Sequence, residues 1–248
     1  VKAIAVITNA EIIKEKISTF YSVEKERIYV INHRPSIGVA NFKEFNETLS
    51  QKVKKQFDLP EKYIFYPAMY LPHKNHKYVI DTIKILYEKF HTNISAVFCG
   101  SDKGYLNKIK KYSNEVGQEK RMHFLDFVED EYMPYLYINS LALVMPTFSG
   151  PTNIPPWEAF KLKIPVFYSD IHNIKKVYKD SVFYIDPYDP STLAKGIIEI
   201  IKDDQKKSAL IKRGSELFNS VNEKEEFDQF LEIVKKRRKI KDTWEFKN

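Results

Sequence analysis

The sequence predicts an α/β fold: a parallel sheet with helices on both faces. Three observations carry that expectation. Short apolar runs rich in β-branched and aromatic residues recur from Tyr63 onward, each ending at a turn former. Segments with a helical apolar period separate them. Strand, helix, strand in that rhythm gives right-handed βαβ units, whose sheet must be covered on each side.

Taken in order, the first elements stand apart. "AIAVIT" (3–8) has the character of a buried strand, "NAEIIKEKISTFY" of a helix with Asn9 as N-cap, and "RIYVIN" (27–32) of a second strand. So short a piece cannot bury two faces of sheet alone, so residues 1–34 are expected to be the tail of a preceding domain. The start at Val1 rather than Met fits a piece of a longer protein. Residues 35–62 read as a polar connection leading into a helix.

The main domain follows. Its strands are "YIFYP" (63–67), "ISAVFCG" (94–100), "MHFLDF" (122–127), "LALVMPT" (141–147), "PVFYSD" (165–170) and "SVFYID" (181–186). Three helical stripes lie between them: Val79, Ile83, Leu86 and Phe90; then Leu106, Ile109, Tyr112 and Val116; then Met133, Leu136, Tyr137 and Ser140. "PSTLAKGIIEIIKD" (190–203) places Leu193, Ile197 and either Ile200 or Ile201 on one face, closing a Rossmann-like domain over 63–202. Residues 203–248 read as amphipathic C-terminal helices. No repeat or low-complexity segment interrupts the chain.

Composition bounds the function. With 43% hydrophobic and 29% charged residues, the 248-residue chain has an ordinary globular balance. No run approaches the ~18 apolar residues of a membrane span, and charge follows the first apolar run too soon for a signal peptide. A single cysteine, Cys99, excludes an intramolecular disulfide and fits a reducing cytoplasm; inside an apolar strand it reads as an inert small hydrophobe. The net charge of +7 permits nucleic acid, an anionic membrane surface or phosphorylated ligands. Much of the excess lies in "KKRRKIK" (235–241), which reads first as a solvated helix end and second as a surface-docking patch.

The richest stretch is "SGPTNIPPWEAF" (149–160), directly after a strand, where open parallel sheets bind ligands. Pro151, Pro155 and Pro156 lack an N–H, which leaves the amides of Gly150, Thr152, Asn153 and Ile154 as donors. Pro155 and Pro156 fit the first turn of a helix, and Asn153 fits its N-cap. A helix start with exposed amides favours an anion such as a diphosphate. Glu158 falls about one turn in, where a carboxylate suits a vicinal diol such as a ribose.

These stretches, with "YPAMYLPHKNH" (66–76), "VFCGSDKGYL" (97–106), "MHFLDFVEDEYMPYLYINSLALVMPT" (122–147), "KLKIPVFYSD" and "YIDPYDPSTLAKGI" in order, resemble family-four glycosyltransferases. That group is retaining and has the GT-B fold of two facing Rossmann-like domains. The resemblance runs from about Ala3 to Ile201 and makes this chain the C-terminal, donor-binding half, with residues 1–34 the end of the N-terminal acceptor domain. It implies transfer of a sugar from a nucleotide-diphosphate-sugar to a glycan or lipid-linked acceptor, in surface polysaccharide synthesis. The nucleotide-sugar is a substrate; no cofactor and no metal are implied.

By the same resemblance Lys74 contacts the donor diphosphate, together with the loop of Gly150, Thr152, Asn153 and Ile154. Glu158 binds the ribose, and the backbone around Leu125, Phe127 and Val128 meets the base. The sequence departs from the family at two places: Gly150 stands where a sugar-binding Glu is common, and Met69 where an Arg is common. His73, His76 and Lys103 are the nearby groups able to replace that Arg. A catalytic base is not assigned, and the printed chain alone is expected to bind donor without transferring sugar efficiently.

Against each sharp reading stands a bland one. Lys74 as a solvated helix-start residue, Glu158 as a dipole partner and Asn153 as a plain N-cap are the structural alternatives. The aromatic residues Tyr132, Tyr135, Tyr137 and Trp157 read as core rather than as a base-stacking shelf. His73 and His76 at i, i+3 have no third ligand nearby, so no metal site is expected. A catalytically degenerate nucleotide-sugar-binding module is the rival function, and nucleic-acid binding through the basic end ranks last. The expected setting is cytoplasmic, with an anionic inner-leaflet surface as a further partner for the basic residues.

Overall fold

The structure is a computed structural model that describes residues 4–31, 35–150, 153–171, 173–221 and 223–245. Contacts divide the chain into two units, residues 1–33 with 219–248 and residues 34–218.

In the first unit β1 (Val6–Thr8) and β2 (Ile28–Val30) pair in parallel, with Val6 opposite Ile28. Helix α1 (Glu11–Tyr21) makes the crossover. The expected cap at Asn9 is corrected. The helix begins at Glu11, so the N-cap position falls to Ala10, which has no side chain with which to cap.

The second unit opens with α2 (Ile37–Ala40) and α3 (Glu47–Gln56), the latter capped by Asn46 Oδ1, which accepts the Leu49 N–H at 2.9 Å. Alternation then sets in: β3 (Tyr63–Pro67), α4 (His76–Phe90), β4 (Ser95–Cys99), α5 (Leu106–Glu115), β5 (Met122–Leu125), α6 (Met133–Ile138) and β6 (Ala142–Met145). It continues through α7 (Ile154–Lys161), β7 (Val166–Ser169), α8 (Ile174–Tyr178), β8 (Phe183–Ile185), α9 (Pro190–Lys202) and α10 (Asp204–Asn219). Back in the first unit, α11 (Glu223–Glu245) is tied to β2 by Arg237, which donates to Tyr29 Oη at 2.8 Å and to the Glu26 carbonyl at 3.2 Å. Of the basic run 235–241, the side chains of 239–241 lie outside the described residues.

All six strands of the second unit are parallel, in the order β5-β4-β3-β6-β7-β8. This is the predicted α/β class. The core is where the apolar runs place it: Ile64, Phe65, Val97, Phe98, Leu143, Val144, Val166 and Phe167 are fully buried. Val79, Ile83 and Leu86 of α4 and Leu193, Ile197 and Ile200 of α9 face inward, while Ile201 stays 43% exposed. The expected aromatic core residues Tyr132, Tyr135, Tyr137 and Trp157 are likewise buried.

Two differences have physical causes. The run "MHFLDF" stops being strand at Leu125, because β5 pairs only with β4 and β4 ends at Cys99, its partner. Phe127 therefore leaves the sheet and is 82% exposed. Helices α2 and α8, of four and five residues, are too short to show an apolar period and were not expected.

Two features of this core have measurable consequences. Gly196 lets α9 approach the sheet so closely that an added Cβ would lie 2.6 Å from Phe167 Cε1 and 3.0 Å from Phe183 Cε1. Gly196→Ala gains about 1 kcal/mol of helix propensity but overpacks by about 1–3 kcal/mol, so a lower melting temperature is expected. His76 is buried against Tyr66, Tyr70 and Phe98, with ring centroids 4.9, 5.1 and 5.5 Å away. Burial pushes its imidazole down from 6.5 to about 4. Between those values the unfolded chain holds a proton that the native state refuses, so stability falls as pH drops through that window. The loss is about 3 kcal/mol at about 1.4 kcal/mol per pH unit. Chemical denaturation of wild type and His76→Phe from pH 7 to pH 4 checks this: the unfolding free energy of wild type minus that of the variant is expected to fall with acid.

Candidate functional site

The strand order locates the site. From β3 the chain moves outward through β4 to β5, then returns to lay β6 on the other flank of β3 and moves outward the opposite way. The connections leaving β3 and β6 therefore diverge, and the carboxyl ends of these two strands are where a sheet of this order places its ligand crevice. Lys74 follows β3, and the loop of Gly150 and Asn153 follows β6. The two sequence-predicted halves flank one crevice.

Backbone and hydroxyl bonds stitch the crevice floor. Phe148 N–H donates to the His73 carbonyl at 2.9 Å, and Thr147 Oγ1 donates to the same carbonyl at 3.1 Å. The Pro72–Lys74 turn, a single turn of 3-10 helix, is held from below by Tyr66 of β3, whose hydroxyl donates to the Lys74 carbonyl at 2.6 Å. Lys74 Nζ then reaches across and donates to Asn153 Oδ1 at 3.1 Å.

Asn153 is itself locked. Its Nδ2 donates to the Gly150 carbonyl at 2.9 Å and is also in hydrogen-bond contact with Tyr168 Oη. Tyr168 Oη donates to that same Gly150 carbonyl at 2.6 Å, and Tyr178 Oη donates to the Asn153 carbonyl at 3.4 Å. The amide is thus held with its oxygen toward the ammonium. Asn153 occupies the N-cap position of α7, but its side chain makes no cap hydrogen bond. The expected capping role is corrected: the second and third positions of α7, whose N–H groups an N-cap side chain would accept, are Pro155 and Pro156, and the Asn153 amide turns to Lys74, Gly150 and Tyr168 instead.

Gly150 has φ +104°, a backbone conformation that disfavours any side chain, and an added Cβ would press on the Asn153 amide at 3.3 Å. The residue in place of the family's Glu is thus required by the loop's own path. Thr152 lies outside the described residues. Ile154, the first residue of α7, is 38% exposed.

The charge on the crevice is positive. Burial lowers the pKa of the half-buried Lys74, and the partner facing it is a neutral amide oxygen. Burial and then the Lys74 charge hold His73 below the ordinary imidazole value, so it adds no fixed cation near neutral pH. His76 is in the core and cannot replace the missing Arg. Lys103 and Met69 are both exposed. Among the described residues no three His, Cys, Asp or Glu side chains are grouped to hold a metal.

Glu158 is 4% exposed, in the second turn of α7. Its Oε1 accepts the Ser36 N–H at 2.9 Å and its Oε2 accepts the Tyr137 hydroxyl at 2.5 Å. A carboxylate offers about four acceptor positions, so a ribose hydroxyl would share it with these two donors. In the base-contacting stretch, Leu125 and Val128 are buried and Phe127 projects. Cys99 is a thiol, pushed up by burial to about 11. Sequence reasoning missed Tyr66, Tyr168, Tyr137 and Ser36. The three tyrosines lie inside apolar runs, where a phenol reads as filler, and no local signal marks a hydroxyl whose partner is distant in sequence.

Comparison with known proteins identifies the family and the fold. The family described as glycosyl transferases group 1 matches residues 48–217. An uncharacterized glycosyltransferase of Methanocaldococcus jannaschii is 23% identical over 206 residues, 80% of this chain and 51% of that protein. O-antigen chain mannosyltransferase B of Escherichia coli is 29% identical over 97 residues, 39% of this chain and 26% of that protein. A glycosyltransferase from Rickettsia africae ESF-5 superposes with a TM-score of 0.79 at 16% identity, covering 95% of this chain and 64% of its own. Anabaena Alr3699/HepE, crystallised with UDP-glucose, gives 0.75 at 18% identity, covering 98% and 64%. The chain thus spans between about a quarter and two thirds of the length of these relatives. With the family match running from α3 to α10, the chain belongs to the glycosyl transferases group 1 family, and its six-stranded unit is a domain of the GT-B fold.

Proposed function

We infer that this chain is the donor-binding half of a retaining, family-four glycosyltransferase. The enzyme moves a sugar from a nucleotide-diphosphate-sugar to a glycan or lipid-linked acceptor in surface polysaccharide synthesis. The observation that carries the reading is the Lys74 ammonium: half-buried, at the switch point of the sheet, and facing a neutral amide where a counter-ion would be expected. A desolvated cation with no carboxylate facing it among the described residues attracts an anion strongly, and the Ile154 amide at the start of α7 is a further donor. A departing diphosphate matches that field, and stabilising it is an electrostatic role that needs no resident cofactor.

On this reading Lys74 with Gly150, Thr152, Asn153 and Ile154 holds the diphosphate and sugar. Glu158 takes the ribose on its remaining acceptor positions, and Phe127 lies beside the base. A sugar-transfer reading is supported by the similarity to O-antigen chain mannosyltransferase B of Escherichia coli and to the Anabaena protein crystallised with UDP-glucose.

A second reading, a nucleotide-sugar-binding module without catalysis, is favoured by Gly150 and Met69 where the family carries Glu and Arg. Sugar transfer by the full-length protein, measured beside nucleotide binding, separates the two.

Calorimetric titration with UDP, GDP, ADP and CDP tests the assignment. Lys74→Met is expected to weaken the selected nucleotide diphosphate at least about tenfold, roughly 1.4 kcal/mol; unchanged affinity would overturn the phosphate role. Because burial lowers the Lys74 pKa, affinity is expected to decline with rising pH earlier than for an ordinary lysine. Tyr168→Phe frees the Asn153 amide to rotate and is expected to weaken nucleotide binding severalfold with little change in melting temperature.

A further inference from the structure

The carboxyl ends of β7 and β8 border a second cavity, of about 570 Å³, which the donor assignment leaves unused. Phe148, Tyr184, Tyr188, Asp170, Asp186 and Pro187 contribute to its lining. Its walls are fastened to the turn that carries Lys74. Phe148 N–H donates to the His73 carbonyl at 2.9 Å, and Asn75 Nδ2 donates to the Pro187 carbonyl at 3.0 Å. The cavity therefore adjoins the cationic crevice through shared backbone.

Its chemistry is different from that of the crevice. Phe148 and Tyr188 form an aromatic pair, ring centroids 5.2 Å apart and 33° between planes, and they remain 40% and 81% exposed. Two carboxylates line the same cavity. Asp170 Oδ2 accepts from Lys175 Nζ at 2.7 Å, and Asp186 Oδ1 accepts the Tyr188 N–H at 2.8 Å, which leaves one oxygen of each for other donors. Lys175 also lies over the Tyr184 ring at 5.2 Å, so a cation is already present.

These features sort ligands. A phosphate is repelled by the carboxylates and drawn to Lys74 next door. A hydrocarbon would strand the two acceptors. A second cation would compete with Lys175. A neutral ring with one apolar face and a rim of hydroxyls meets every surface, stacking on the aromatic pair and donating to the acids.

We propose that this cavity is a subsite for a neutral pyranose, the end of the acceptor glycan, held beside the donor crevice. The proposal rests on the nucleotide-sugar reading for its place in the reaction, but binding itself is separately measurable.

The test uses the full chain with methyl α-D-mannopyranoside and methyl α-D-glucopyranoside as probes, read by saturation-transfer NMR, and with UDP and GDP titrated in parallel. Saturation transfer to at least one glycoside is expected. Tyr188→Ala is expected to weaken it about five- to tenfold, while Tyr188→Phe, which keeps the ring, retains it. Neither change is expected to alter nucleotide affinity. Absence of glycoside binding to the unsubstituted chain, or equal binding by Tyr188→Ala, would overturn the subsite. If Lys74→Met leaves nucleotide affinity intact while Tyr188→Ala still removes glycoside binding, the donor assignment fails and the subsite stands.

Discussion

The reversal of strand order between β3 and β6 is the constraint on which the rest of this molecule depends. Parallel strands joined by right-handed crossovers leave each connection running outward over one face. Where the winding changes direction, two neighbouring connections part and their backbone ends are left uncovered. Lys74 and Asn153 stand on the two sides of that gap, and their 3.1 Å hydrogen bond spans it. Had β6 been laid beside β5, two strands would stand between β3 and β6 and no crevice would join the residues.

What sets the gap apart from a plain seam is the mismatch of partners within it. Ion pairs elsewhere in the unit match charge with charge, as Lys175 with Asp170 and Lys206 with Glu199, and these are solvent-screened surface contacts of small energetic weight. Lys74 is different: it gives up part of its hydration, and its partner among the described residues is a dipole, the Asn153 amide oxygen. Such an arrangement costs stability in the empty protein and is offset when an anion arrives.

The tyrosines explain how the mismatch is kept in place. Burial raises the pKa of Tyr66, Tyr137, Tyr168 and Tyr178, so each stays a neutral phenol that donates a proton. Tyr66 fixes the lysine's own turn, Tyr168 fixes the Gly150 carbonyl and the Asn153 amide, and Tyr137 fixes Glu158. Each ring is anchored in the apolar core while its hydroxyl reaches out of it, that of Tyr137 to helix α7 and the others to loop backbone or to Asn153. The core thereby sets loop geometry directly, and the Gly150 backbone at φ +104° is the conformation it imposes.

The sequence by itself determined the α/β class, the six strands of the sheet, the inward faces of α4 and α9, and the two stretches that hold the candidate site. Periodicity and turn chemistry are local properties, and the resemblance rests on local motifs. The pairing order, the closure of β5 at Leu125, the turning of the Asn153 amide away from its own helix and the engagement of Glu158 by Ser36 and Tyr137 were decided only in three dimensions. Each of these depends on a partner far along the chain. A side chain's hydrogen-bonding capacity is written in its residue type, but which donor or acceptor uses it is set by which strands become neighbours.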